Sequence, residues 1–118
     1  MITIKDISYV RGDTYALTIT IQGLKESDTI TGLYFTVKNS SDDTTPVIEK
    51  SLGNGIEPME TENQFNILVE AGDSKELEVG CPYYYDIKVV VGSIEKTPAK
   101  GTFTLQPNYT SINNWNGV

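Results

Sequence analysis

Thr14-Tyr15-Ala16-Leu17-Thr18-Ile19-Thr20-Ile21 is the stretch that decides the fold. Tyr15, Leu17, Ile19 and Ile21 fall on every second position, with Thr14, Ala16, Thr18 and Thr20 between them. Strand side chains point alternately to opposite faces, so the pattern predicts a β-strand with one buried and one solvated face. Arg11-Gly12-Asp13 just upstream is turn chemistry and feeds this strand from an earlier one over residues 2–7, where Ile2 and Ile4 share a side.

The same period recurs downstream. Residues 31–39 place Leu33, Phe35 and Val37 inward and Tyr34, Thr36 and Lys38 outward. Residues 47–52 form a shorter strand, and Gly53-Asn54-Gly55 supplies an Asn-Gly turn, because both residues tolerate positive φ. A short strand begins at Ile56 and stops at Pro58. Residues 64–69 follow, with Phe65, Ile67 and Val69 inward. Asp73-Ser74-Lys75-Glu76-Leu77 is the one helix-like piece, a single turn in which Asp73 caps and Glu76 has capping-box spacing. Residues 83–91 put Tyr83, Tyr85, Ile87, Val89 and Val91 on one face and Tyr84, Asp86, Lys88 and Val90 on the other. Gly92-Ser93 turns the chain into a brief arm over 94–97, Pro98 interrupts it, and 100–106 closes the domain.

Seven to eight short strands with turn signals between them predict an all-β, antiparallel, immunoglobulin-like sandwich carrying one short helical turn. The likeness is one of layout, since Cys81 has no partner cysteine and Trp115 lies outside any strand. Residues 1–107 are expected to form the sandwich and 108–118 a polar C-terminal tail. A chain of 118 residues can bury enough surface to fold without disulfide or metal. A lone cysteine in such a chain is usually a small buried residue.

Composition narrows the chemistry. The formal charge is −7 and Arg11 is the single arginine, which disfavours nucleic-acid phosphates. No apolar run reaches the ~20 residues of a membrane-spanning helix, and the alternating N-terminus reads as a strand, not a signal peptide, so cytoplasmic synthesis is expected. The chain has no histidine and one cysteine, which removes the commonest general base and the usual zinc ligand sets. No cofactor, metal site or catalytic residue is therefore expected, and the protein is read as a non-enzyme.

The remaining polar groupings have ordinary explanations. Glu57, Glu60 and Glu62 could be a glycosidase-like carboxylate group but read better as a solvated loop. Asp42-Asp43 and Asp73 with Glu76 lack the spacing of a dedicated calcium loop. Arg11-Gly12-Asp13 is the tripeptide integrins read, yet Gly-Asp is also a common turn pair. Asn39-Ser40-Ser41 and Asn108-Tyr109-Thr110 match a glycosylation sequon that means little without secretion. In Tyr83-Tyr84-Tyr85 the alternation buries two rings and leaves Tyr84 at the surface. Tyr84, Tyr109 and Trp115 are the candidate interaction residues, with Trp115 either folding back or docking on a neighbour.

Five segments taken in order resemble a known group. They are Val10-Arg11-Gly12-Asp13-Thr14-Tyr15, Ile30-Thr31-Gly32-Leu33-Tyr34-Phe35-Thr36-Val37-Lys38, Phe65-Asn66-Ile67-Leu68-Val69 with Ala71-Gly72-Asp73, Tyr84-Tyr85-Asp86-Ile87-Lys88-Val89, and Lys100-Gly101-Thr102-Phe103-Thr104-Leu105. Together they resemble small β-sandwich proteins of phage and prophage tail and baseplate modules, especially the N-terminal domain of upper-baseplate proteins. The resemblance implies a virion structural or accessory protein, an adaptor that binds other tail proteins or itself as a homo-oligomer. It implies localisation in the virion and no catalytic residues. A carbohydrate-binding or adhesive immunoglobulin-like module is the alternative.

Overall fold

The computed structural model describes residues 6–25, 27–40, 42 and 44–109. Among these residues eight strands and one helical turn follow in chain order: β1 (Ile7–Val10), β2 (Tyr15–Thr20), β3 (Ile30–Lys38), β4 (Ile48–Leu52), β5 (Gly55–Pro58), β6 (Gln64–Val69), α1 (Ala71–Ser74), β7 (Tyr83–Val91) and β8 (Ile94–Gln106). They hydrogen-bond in the order β1-β8-β7-β3-β4-β5-β6-β2. The two ends of this ribbon, β1 and β2, are consecutive in the chain, and Tyr9 of β1 stacks on Tyr15 of β2 with ring centroids 4.7 Å apart. The ribbon is therefore folded on itself. One layer is β1-β8-β7-β3-β4, the other β5-β6-β2, and the apolar faces of both meet between them.

The expected sandwich is thus present, with two parallel contacts in an otherwise antiparallel sheet. β1 pairs with β8 in parallel from Ile7↔Phe103 to Val10↔Gln106. β4 and β5 touch at Ser51↔Gly55 and Leu52↔Ile56, where the chain passes from one layer to the other. The positive φ that makes this corner possible falls on Gly53 (85°) and Gly55 (97°), while Asn54 stays out of that region.

The inward positions are the predicted ones for β3, β6, β7 and β8. Leu33, Phe35, Val37, Phe65, Ile67, Val69, Tyr83, Tyr85, Ile87, Val89, Phe103 and Leu105 are all buried. Tyr83 opens β7, and its hydroxyl accepts a hydrogen bond from the Glu78 N–H at 2.8 Å. That is the tyrosine corner of immunoglobulin-like domains, in which a cysteine ordinarily stands two residues further on. Here that position is Tyr85, which packs on Phe35 with centroids 5.7 Å apart. Because β3 and β7 are neighbours in one layer, this aromatic pair packs the core from a single sheet and does not bridge the two layers as a disulfide would.

Three expectations need correction, and a fourth lies largely outside the described residues. Among the described residues the first strand is Ile7–Val10, and the strand expected over residues 2–7, with Ile2 and Ile4, falls mostly beyond them. The helical turn starts earlier than expected, capped by Glu70 with Asp73 as the returning side chain. The Glu70 N–H donates to Asp73 Oδ2 at 2.7 Å, so Asp73 occupies the third helical position. Residues 94–106 make one continuous strand, β8, because Pro98 falls where the β7–β8 register shifts between Ile87 and Val89, so the ladder needs no N–H there. Finally, Cys81 is exposed, held in the loop that leads from α1 into β7.

Candidate interaction face

The outer face of β4, β3, β7 and β8 collects the outward residues of four adjacent strands. Strand register arranges them in rows. Lys38 lies beside Tyr84, which lies beside Thr102. In the next row Glu49, Thr36, Asp86 and Lys100 follow one another across the four strands. Beyond that Ser51, Tyr34 and Lys88 are neighbours.

Two large aromatics stand out of this face. Tyr34 is 42% and Tyr84 45% exposed, although both belong to nine-residue central strands. The Tyr34 ring lies back over Gly32, where an added Cβ would come within 3.0 Å of Cε2. Gly32 thereby lets the ring rest on the backbone, which limits the rotamers Tyr34 would lose on being covered. Around Tyr84 an open trough of about 580 Å³ is lined by Thr36, Lys38, Tyr84, Asp86, Lys100 and Thr102, among others. Among the described residues Lys38, Glu49, Asp86 and Lys100 make no ion pair within their own chain. Lys88 does, with Glu95 at 3.4 Å.

The candidate residues named from sequence separate here. Tyr84 lies in the centre of the face, flanked by buried Tyr83 and Tyr85, as alternation requires. Tyr109 is 96% exposed but follows the end of β8, beside a shallower depression formed with Val10, Asp13 and Gln106. Trp115 lies outside the described residues. Tyr34 was legible as outward but carried no signal that made it a site; its role depends on the register that sets it beside Lys88.

The Arg-Gly-Asp turn is committed to its own domain. Arg11 Nε donates to Asn108 Oδ1 at 3.0 Å, and Nη1 donates to the Leu77 carbonyl at 3.1 Å. The Arg11 N–H bonds the Gln106 carbonyl, and the Gly12 N–H donates to the buried Ser74 Oγ at 2.8 Å. Glu57, Glu60 and Glu62 are exposed to solvent. Among the described residues no three His, Cys, Asp or Glu side chains gather where they could hold a metal, and no helix is long and apolar enough to cross a membrane.

Among the described residues Tyr9, Tyr15 and Tyr85, in or against the core, have displaced ionisation. Tyr85 is pushed up to about 12, first by burial and then by the nearby Asp6 and Tyr15. Tyr9 and Tyr15 are also raised, burial being the main cause in each. These rings belong to the core, so their chemistry concerns stability and not a reacting site.

The fold and face together define an immunoglobulin-like β-sandwich. No protein-family model matches the chain, and no curated protein matches it. Among solved structures it is similar to the crystal structure of the swine CD8aa homodimer, with 12% identical residues and a TM-score of 0.51. The match covers 89% of this chain and 96% of that one. At this identity the likeness shows the fold alone.

Proposed function

We propose that this protein is a phage or prophage virion component, a tail or baseplate structural or accessory protein, that works by protein–protein contact and not by catalysis. The observation that carries the contact role is the pair Tyr34 and Tyr84, two half-exposed rings on the outer face of paired central strands. Aromatic side chains fixed on rigid strands bury much area at little entropic cost, which is why tyrosine is frequent at interface centres. Support for the virion role comes from the five segments that resemble tail and baseplate proteins. These segments form the β1–β2 junction, β3, β6 with α1, β7 and β8.

The test is to purify particles from the producing strain, identify their proteins by mass spectrometry, and locate this one by immunogold labelling. Labelling of the tail or its tip supports the proposal. Particles that assemble and infect without the protein, and never contain it, would overturn it. The trough beside Tyr84 also suits a sugar ring stacked on the tyrosine. Glycan-array binding lost in Tyr84→Ala would favour the carbohydrate-binding alternative.

A further inference from the structure

The outer face differs in charge from the rest of the molecule. The outward positions of β4, β3, β7 and β8 carry Lys38, Lys88 and Lys100 against Glu49, Asp86 and Glu95, a balance of zero in a chain of −7. A second copy approaching this face therefore meets no acidic surplus, although the chain as a whole carries one.

The rows on this face are also complementary to themselves. Consider a two-fold axis in the plane of contact, running between β3 and β7 and parallel to them. It sets β3 of one copy over β7 of the other, and β4 over β8. Because the rows are in register, Lys38 then faces the second copy's Tyr84, and Tyr34 faces its Lys88, both cation–π arrangements. Thr36 meets Asp86, whose carboxylate can accept its hydroxyl. Glu49 meets Lys100, because both lie in the row of Thr36 and Asp86, one strand outside each. Lys38, Glu49, Asp86 and Lys100, which make no ion pair among the described residues of their own chain, thus each find an opposite charge, a ring or a hydroxyl in the other copy.

We propose that this chain forms an isologous two-fold dimer through the outer face of β4, β3, β7 and β8, with the axis between β3 and β7. Stacked sheets lie ~10 Å apart, close enough for these side chains to meet. The four strands measure at most about 19 by 30 Å from strand spacing and rise, the ~600 Å² per partner of a smaller, reversible interface. This deepens the contact role proposed above, and the two fail separately. A monomer would leave virion membership untouched, and particles lacking the protein would leave the dimer untouched.

A charge swap tests it. Within one chain Glu49 and Lys100 are three strand spacings apart, about 14 Å, beyond the ~8 Å screening length at physiological salt. Only a second copy can bring them together. Sedimentation velocity over a concentration series should show the unaltered chain as a dimer at tens of micromolar. Glu49→Lys or Lys100→Glu alone should raise Kd about tenfold or more, since each sets like charges opposite one another twice per dimer. The double variant should return to within about threefold of the original. Both positions are exposed, so thermal melts should confirm that all variants fold. A chain that stays monomeric to ~1 mM, single variants that associate normally, or a double variant weaker than either single one would each overturn the proposal.

Discussion

Lys50 Nζ lies 2.8 Å from Asp73 Oδ2, an ion pair that ties the edge of one layer to the helical turn of the other. Lys50 is paired in register with Phe35, so it points into the sandwich, and its stem passes over Gly55. A Cβ on Gly55 would stand 2.5 Å from Lys50 Cδ. Gly55→Ala therefore meets two obstacles, the lysine stem and a backbone φ of 97° that L side chains rarely adopt. Its expected cost is about 2–3 kcal/mol in urea unfolding. In a Lys50→Ala background the contacts to Cγ and Cδ are relieved, the 3.2 Å contact to Cβ and the backbone part stay, and the same change should cost less. Equal costs in both backgrounds would show that the lysine stem has no part in the corner.

Arg11 reaches two acceptors in different segments, Asn108 Oδ1 and the Leu77 carbonyl. Half-buried hydrogen bonds from a charged donor are worth about 1.5–3 kcal/mol, so Arg11→Ala should lower the unfolding free energy by roughly that amount. Arg11→Lys should recover only part of it, because one ammonium cannot reproduce the planar fork. Full recovery by lysine would mean that charge alone matters at this junction.

Two tyrosine-to-phenylalanine changes should have opposite signs. The Tyr83 hydroxyl accepts from the Glu78 N–H, and its loss leaves that donor without a partner; Tyr83→Phe should cost about 1–2 kcal/mol. The Tyr9 hydroxyl is buried beside Ser74 and, among the described residues, makes no hydrogen bond of good geometry. Tyr9→Phe should therefore be neutral or stabilising by up to about 1 kcal/mol. Thermal melts of the two variants decide it, and equal losses would show that the Tyr9 hydroxyl is bonded.

Much of this architecture is legible along the chain, for a physical reason. Alternation reports which side of a strand is apolar, so the inward residues of β3, β6 and β7 follow from spacing alone, as does the exposure of Tyr84 between two buried rings. Pairing depends on long-range register, which no local pattern encodes. The parallel contact of β1 with β8 is hidden for that reason. The face built on Lys38, Tyr84 and Lys100 is hidden too, since it exists only once three distant strands are aligned. The displaced helical turn has a different cause. Glu70 and Asp73 share the three-residue spacing of Asp73 and Glu76, and the Lys50 contact to Asp73 belongs to the first arrangement.

Alkaline pH should loosen the fold through its buried tyrosines. The Tyr85 hydroxyl is pushed up to about 12, burial first and then Asp6 and Tyr15 opposing the phenolate. In the unfolded chain it ionises near 10. A folded-state value raised in this way favours the protonated form, so its contribution is fully present below about pH 10. Between about pH 10 and 12 the unfolded chain releases the proton while the folded one holds it, and stability falls with rising pH. A displacement of about two units sets a ceiling of about 2–3 kcal/mol on that loss from Tyr85. Tyr9 and Tyr15, raised in the same direction, should steepen it. Urea titrations from about pH 9 to 12 should show the decline. Tyr85→Phe, which has no proton to release, should decline less steeply over the same window. Parallel slopes in the two proteins would rule out Tyr85 as the source of the effect.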